Sequence, residues 1–317
     1  MKFSFEIPIW GYKALLVFAA LIWGFSFVVM KDVVAVMPPA WLLGVRFLFA
    51  GALLGIVLHK RVRAHFSASV LKAGAILGLF DFLGFWTQTI GLQHTTPGIN
   101  AFLTATYCVI VPFAWWVVAR KRPSLFNVAA AVLAVAGIWF VSGNGTGASI
   151  SLGFGEGMTL LCAVAFAVHM VFVSKFALKY DVLVLTVVQF LVEGGLGCVV
   201  GAGFETFPPL EALTPAIVGQ IVFLAIFASV VAFGIQNVGL ARVAPAQAAL
   251  FLSLESVFGV VFSVLLYGEA LTAMLLLGFA LIFSGILVNE VVAPKAQAKR
   301  AIVSASRNKW KGENSHE

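Results

Sequence analysis

Charge is what this sequence has least of. Asp, Glu, Lys and Arg together make up 10% of its 317 residues, against about 25% in an ordinary soluble domain. Hydrophobic side chains take 62% of the chain, where a soluble domain carries about 45–50%. A water-soluble core of this length could not hide so much apolar surface, so the solvent is expected to be a lipid bilayer. Cysteine is also sparse: Cys108, Cys162 and Cys198 each fall inside an apolar run. They read as small buried hydrophobes, which excludes a disulfide framework and a thiolate metal site. The histidines His59, His65, His94, His169 and His316 stand at no metal-ligand spacing, so no metal is expected. There is no G-x-S-x-G nucleophile motif. The glycine stretches "SGNGTGASI" and "GFGEG" lack the Lys-Ser/Thr ending of a phosphate-cradling loop. These absences argue against an enzyme, an ATP-driven machine or a bound cofactor. The N-terminal "MKFSFEIPIWGYKALL" has no clear n-region, h-region and A-x-A sequence, so cleavage is not expected.

What is present is long apolar runs. A spanning helix needs about 20 mostly apolar residues, and ten segments qualify: 12–30, 38–58, 70–91, 98–119, 125–141, 152–174, 182–202, 215–239, 246–267 and 271–291. With the N-terminus inside, 18 of the 20 Lys and Arg fall on the inner side, leaving Lys31 outside and Arg46 within the membrane. That is the positive-inside pattern, and it places both termini in the cytoplasm. The opposite loops hold Asp32, Glu205, Glu211 and Glu269. The basic tail, 292–317, reads as a solvated segment near anionic head groups; no nucleic-acid partner is expected.

The chain also repeats itself. An offset of 148 residues lays "FWTQTIGLQHTTPGINA" (85–101) on "FGIQNVGLARVAPAQAA" (233–249), pairing Phe85 with Phe233, Gln88 with Gln236 and Pro97 with Pro245. Further on it pairs Gly137-Ile138 with Gly285-Ile286. At an offset of 143, Val45, Phe47, Leu48 and Gly51 fall on Val188, Phe190, Leu191 and Gly194. Each half then holds five helices, and an odd number forces the second half to cross the membrane in the opposite sense. This is the inverted-repeat plan of many secondary transporters, whose sites lie near the midplane between repeats.

These residues carry a family resemblance. "TTPGINAFLTATYCVIVPFAWWVVARKRPS" with "AGIWFVSG", and "APAQAALFLSLESVFGVVFSVLLYGEALT" with "SGILVNE", resemble the EamA-type repeat of the drug/metabolite transporter superfamily. The likeness runs from about residue 12 to 291, as one repeat over 12–141 and a second, inverted, over 152–291. In the first copy "RKRPS" stands where the family often has Gly-Glu-Arg, and Ser256 follows Glu255 where a proline is common. The resemblance implies an all-α polytopic membrane protein of ten helices, with a central cavity lined by helices 1–4 and 6–9 and with helices 5 and 10 outside it.

Polar groups inside such a bundle need a reason. Arg46, Asp81, Glu193 and Glu255 would each be unfavourable by about 2.5–3.5 kcal/mol at a lipid-facing helix centre, together about the net stability of a whole protein. They must face a wet cavity, pair with one another, or be protonated. Helical spacing groups the candidates for substrate binding or coupling. Asp81 and Gln88 share a face of helix 3, Asn100 and Tyr107 a face of helix 4, and Gln189 and Glu193 a face of helix 7. His169 comes from helix 6, Gln236 from helix 8, Glu255 from helix 9, and Trp23 and Ser26 from helix 1. Each has a plain structural alternative: Arg46 tying down carbonyls, Glu255 at a helix end, His169 as a bonded core histidine, the aromatics as packing. The 143-residue offset places Ser26 on His169 and Arg46 on Gln189, so equivalent positions carry different chemistry. Gly51/Gly55, Gly74/Gly78 and Gly197/Gly201 have the G-x-x-x-G spacing of close helix packing.

The expected function is secondary transport of a small polar, amino-acid-like solute by alternating access in a bacterial inner membrane. A proton gradient drives it if a carboxyl or His169 must be neutral in one state. The partners are then the solute, protons and lipid, with the protein a monomer or homodimer. The competing reading is a lipid-handling membrane protein, whose lateral opening would leave no mark in the sequence.

Overall fold

A computed structural model describes residues 8–120, 122–142, 152–240, 242–243 and 251–295. The start of the chain, most of the 240–250 connection, and the tail from 296 onward, on which expectations were stated above, lie outside the described residues. Among those described, the secondary structure is helical throughout and no strand occurs. Eight helices are long and apolar enough to cross a membrane: α1 (Ile9–Val34), α2 (Pro39–Val57), α3 (Ala68–Gln93), α4 (Pro97–Val118), α6 (Phe154–Phe176), α7 (Val182–Phe204), α8 (Pro215–Gln236) and α10 (Ala273–Lys295). Two shorter apolar helices, α5 (Leu125–Val141) and α9 (Leu254–Tyr267), take the remaining places. A short basic helix, His59–His65, follows α2. Outward faces stay apolar, with Val117, Val132 and Val199 at 79%, 64% and 70% exposure, which suits lipid and not water.

The helix starts follow elementary chemistry. Ser67, Thr96, Asp181, Thr214 and Thr272 each accept an N–H bond from the first turn that follows them. Proline stands in the first turn after Pro38, Thr96 and Thr214, where its missing N–H has no partner to lose. Two helices are interrupted. The α4 helix breaks at Thr106, between Pro97–Ala105 and Tyr107–Ala119. A turn at Ser253 precedes α9, within one residue of the equivalent place at the 148 offset. In α8, residues Leu224–Val231 are wound as π-helix.

Packing follows the repeats. The α2 helix lies against α7, α5 against α10, α1 against α9, and α3 against both α6 and α7. Glycines set the closest crossings. A Cβ on Gly44 would meet Cys198, and one on Gly197 would meet the Gly44 backbone at 2.5 Å. Gly51 lies on Leu191 while Gly194 lies on Leu48, and the 143 offset exchanges these two contacts. Likewise Gly137 packs on Gly278 while Gly285 packs on Ala130, exchanged at 148. The contacts thus exchange under the same offsets that relate the two stretches of sequence. Of the G-x-x-x-G residues, Gly74 and Gly78 take Val188, Gln189 and Val192 of α7, and Gly201 takes the ring of Trp41, whereas Gly55 has only ordinary contact.

The link from α4 to α5 explains an oddity of "RKRPS". Arg120 has φ 56° and Gly268 has φ 68°, at equivalent places 148 residues apart. Both helices end in a left-handed cap, which glycine accepts freely and arginine does not. Arg120→Gly is therefore expected to stabilise the protein by about 1 kcal/mol, read as a raised unfolding midpoint in detergent; an unchanged or lowered midpoint would contradict the strain.

Candidate functional site

Six aromatic rings run through the middle of the bundle in an unbroken line. Phe166 of α6 meets Phe85 of α3 at 5.0 Å between centroids, and Phe85 meets Phe47 of α2 at 5.2 Å. Phe47 meets Phe190 of α7, and Phe190 meets Phe233 of α8, both at 5.3 Å. Phe233 then meets Trp23 of α1 at 5.5 Å. The line reads the same from either end under the two offsets: Phe47 pairs with Phe190, Phe85 with Phe233, and Trp23 with Phe166. The Phe47–Phe190 contact is thus between equivalent residues, which places it at the boundary of the halves.

Around this line the polar chemistry is uneven. The Arg46 guanidinium lies over Phe47 at 4.6 Å and Phe85 at 5.0 Å, a cation held by two ring faces. Its Nε donates to Ser229 Oγ at 2.9 Å, and Nη1 approaches Met30 Sδ at 3.9 Å. Gln189 Nε2 donates to Asp81 Oδ2 at 2.5 Å, and Gln189 Oε1 lies 3.3 Å from His169 Nε2. His169 Nδ1 stands 3.8 Å from Asp81 Oδ1. The two bonds Arg46–Ser229 and Gln189–Asp81 are themselves exchanged by the offsets, since Arg46 pairs with Gln189 and Asp81 with Ser229. One frame therefore carries an acid, an imidazole and an amide on one side, and a cation with a hydroxyl on the other.

Glu193 completes the acidic side. It is fully buried, and neither carboxyl oxygen meets a hydrogen-bond donor among the described residues. It shares the electrostatic field of the Asp81 carboxyl and the Arg46 guanidinium. Of the three ways an intramembrane charge can survive, Asp81 takes pairing and Glu193 relies on its neighbours.

A second polar group sits between this cluster and the α3–α4 turn. Asn100 Nδ2 donates to the Gln88 carbonyl at 3.2 Å and to Thr159 Oγ1 at 2.7 Å. Gln88 Nε2 donates to Thr104 Oγ1 at 3.1 Å, which lies 3.9 Å from Cys162 Sγ. Asn100 Oδ1 is buried without a donor among the described residues. Tyr107 and Glu255, which are equivalent at the 148 offset, are near enough for the tyrosine hydroxyl to act on the carboxyl. This answers why an acid stands in the apolar run of α9: its partner is across the bundle, on α4.

Two other candidates bond to main-chain carbonyls. Trp23 donates its indole N–H to the Ala228 carbonyl at 2.8 Å, and Ser26 bonds back to the Trp23 carbonyl at 2.7 Å. Gln236 is half-buried and joins neither cluster among the described residues. Ser229 and Thr159 were missed by the sequence reading, since serine and threonine draw no notice in an apolar run. The repeat could have found Ser229, because it is the equivalent of Asp81.

A family model for the EamA-like transporter family matches residues 10–143 and 153–290. The chain belongs to the EamA-like transporter family. An uncharacterized transporter of Archaeoglobus fulgidus is 29% identical over 274 residues, covering 86% of this chain and 83% of its own. A protein of Salmonella typhimurium described as a "Probable amino-acid metabolite efflux pump" is 27% identical over 294 residues, 88% of this chain and 94% of its own. A solved crystal structure shares the fold with a TM-score of 0.63 at 19% identity, over 90% of this chain and 98% of that one. In this EamA-like chain the two matched segments meet at the aromatic line, so the polar cluster lies where the segments join.

Proposed function

We propose that this protein is a secondary transporter moving a small polar, amino-acid-like solute across a cell membrane by alternating access. Ten helices arranged as two inverted five-helix repeats, with both termini in the cytoplasm, would rock about the aromatic line. The observation that carries the reading is the buried cluster of Arg46, Asp81, Gln189, His169 and Glu193 at the join of the halves. It offers a cation on one side and carboxyls on the other, the complement of a solute bearing both charges. The pairwise exchange of packing and hydrogen-bonded contacts between the halves supports the inverted plan, and the relative described as an amino-acid metabolite efflux pump supports the solute class.

A proton is the proposed coupling ion. Two carboxyls in one field, Glu193 and Asp81, can form a hydrogen bond only when one carries a proton, and Arg46 stands ready to compensate either when it is lost. The polar, amide-rich character of the buried cluster favours a soluble metabolite over a lipid, whose path would be apolar. Purified protein in liposomes under an imposed pH step tests this directly, with amino acids as the first solutes. Movement that accelerates down the proton gradient is expected, and loss of the pH effect in Glu193→Gln with solute exchange retained. Transport indifferent to the step would remove the proton, and movement of labelled lipid without any amino acid would replace the solute.

A further inference from the structure

The α3–α4 turn is gripped from two sides. Lys31 on α1 donates from Nζ to the carbonyls of Leu92 at 2.6 Å, Gln93 at 3.2 Å and Thr95 at 2.9 Å. Glu269, just past α9, accepts from Thr96 Oγ1 at 2.5 Å and from the Gly98 amide at 3.1 Å, and holds Ser263 Oγ as well. A cation thus sits on the carbonyl end of one helix and a carboxylate on the amide end of the next, each matched to the helix dipole. These are charge-assisted bonds, the stronger kind. The turn also stands over the hydrogen-bonded group of Asn100, Gln88, Thr104 and Thr159. Asn100 lies one turn below Thr96, with Cys162 and the Asp81 cluster beneath it.

The repeat shows what the other end has instead. At the 143 offset Lys31 falls on Ser174, whose hydroxyl bonds back to Met170 of its own helix at 2.9 Å. At the 148 offset Glu269 falls on Lys121 and Thr96 on Ala244. The amine becomes a hydroxyl, the acid becomes a base, and the hydroxyl disappears. Asp32, which accepts from Gln220 at 3.0 Å at the first end, falls on Lys175. The positions that attract at one end carry other chemistry at the other, where the turn itself lies outside the described residues.

We propose that the α3–α4 turn is a gate latched by Lys31 and Glu269, and that the sequence builds no matching latch at the opposite turn. The resting protein is then closed at the Lys31 end and opens more readily at the other. The basic-residue pattern makes the Lys31 end the outer one, so the latch biases the protein toward the inward-open side of its cycle. This rests on the alternating-access reading, but its test needs no solute and no transport.

Cys162, fully buried under the turn, is the reporter. In protein lacking Cys108 and Cys198, a membrane-impermeant maleimide is applied to the Lys31 face of oriented membranes. Lys31→Met and Glu269→Gln are each expected to raise the Cys162 labelling rate by about tenfold or more. Lys31→Arg, which keeps the cation, and Glu211→Gln, an exposed acid at the same end, should leave it unchanged. General loosening is read in protein whose only cysteine is Cys108, buried against α5 and α10, where no rise is expected. The latch is overturned if Cys162 labelling stays at the parent rate in both variants, or if Cys108 rises in parallel. It is equally overturned if the parent's Cys162 reacts faster from the Lys31 face than from the opposite one. Loss of transport with the labelling pattern intact would overturn the transport reading and leave the latch standing.

Discussion

Arg46→Met is expected to destabilise the protein by about 3–5 kcal/mol and to abolish transport. Methionine fills much of the same space between Phe47 and Phe85, so packing changes little. What is lost is the buried cation in the field of Asp81 and Glu193, and an uncompensated buried charge is strongly unfavourable. Arg46→Lys should not rescue it, because an ammonium cannot lie flat between two rings while its Nε donates to Ser229. The double variant Arg46→Met with Glu193→Gln should recover a substantial part of the stability, since the orphaned acid goes too. Unfolding midpoints of the four proteins in a double-mutant cycle measure this coupling. Additive losses, with no recovery in the double variant, would show that Arg46 does not hold the acids in place.

Gly197→Val should be nearly as damaging for a steric reason. Its first side-chain atom would lie 2.5 Å from the Gly44 amide and 2.8 Å from the Ala40 carbonyl, both backbone. Backbone cannot rotate away, so α2 and α7 must separate along their crossing, with a loss of about 3 kcal/mol or more. Arg46 and Glu193 ride on these same two helices, so transport should fail even in molecules that insert. Gly195→Ala, two residues away with nothing near the new atom, should stay within about 0.5 kcal/mol. Equal midpoints for the two variants would remove the close crossing.

The candidate cluster was partly legible before any coordinates. Asp81, Gln189 and Glu193 stand out because charge and amides are conspicuous in a membrane helix and share faces at helical spacing. Arg46 stands out for the same reason, but its partner does not: Ser229 is a common residue, placed by a π-helical stretch that no periodicity announces. Trp23 and Ser26 share a face by spacing, but spacing does not say what the face meets: the indole bonds the Ala228 carbonyl and the hydroxyl the Trp23 carbonyl. Glu205 and Glu269 looked like loop acids. Glu205 in fact accepts from the Ala40 and Trp41 amides at 3.0 and 3.2 Å, and Glu269 holds the start of α4.

Composition and repetition alone determined the solvent, the all-helical class, the two-part plan and which side chains lipid would reject. Those properties are sums along the chain, and the hydrophobic effect reads sums. Only the tertiary structure decided the pairings: Arg46 with Ser229, Asp81 with Gln189, Tyr107 with Glu255, and Lys31 with the end of α3. Each joins residues on different helices, and a hydrogen bond depends on angstroms and angles that no one-dimensional spacing carries.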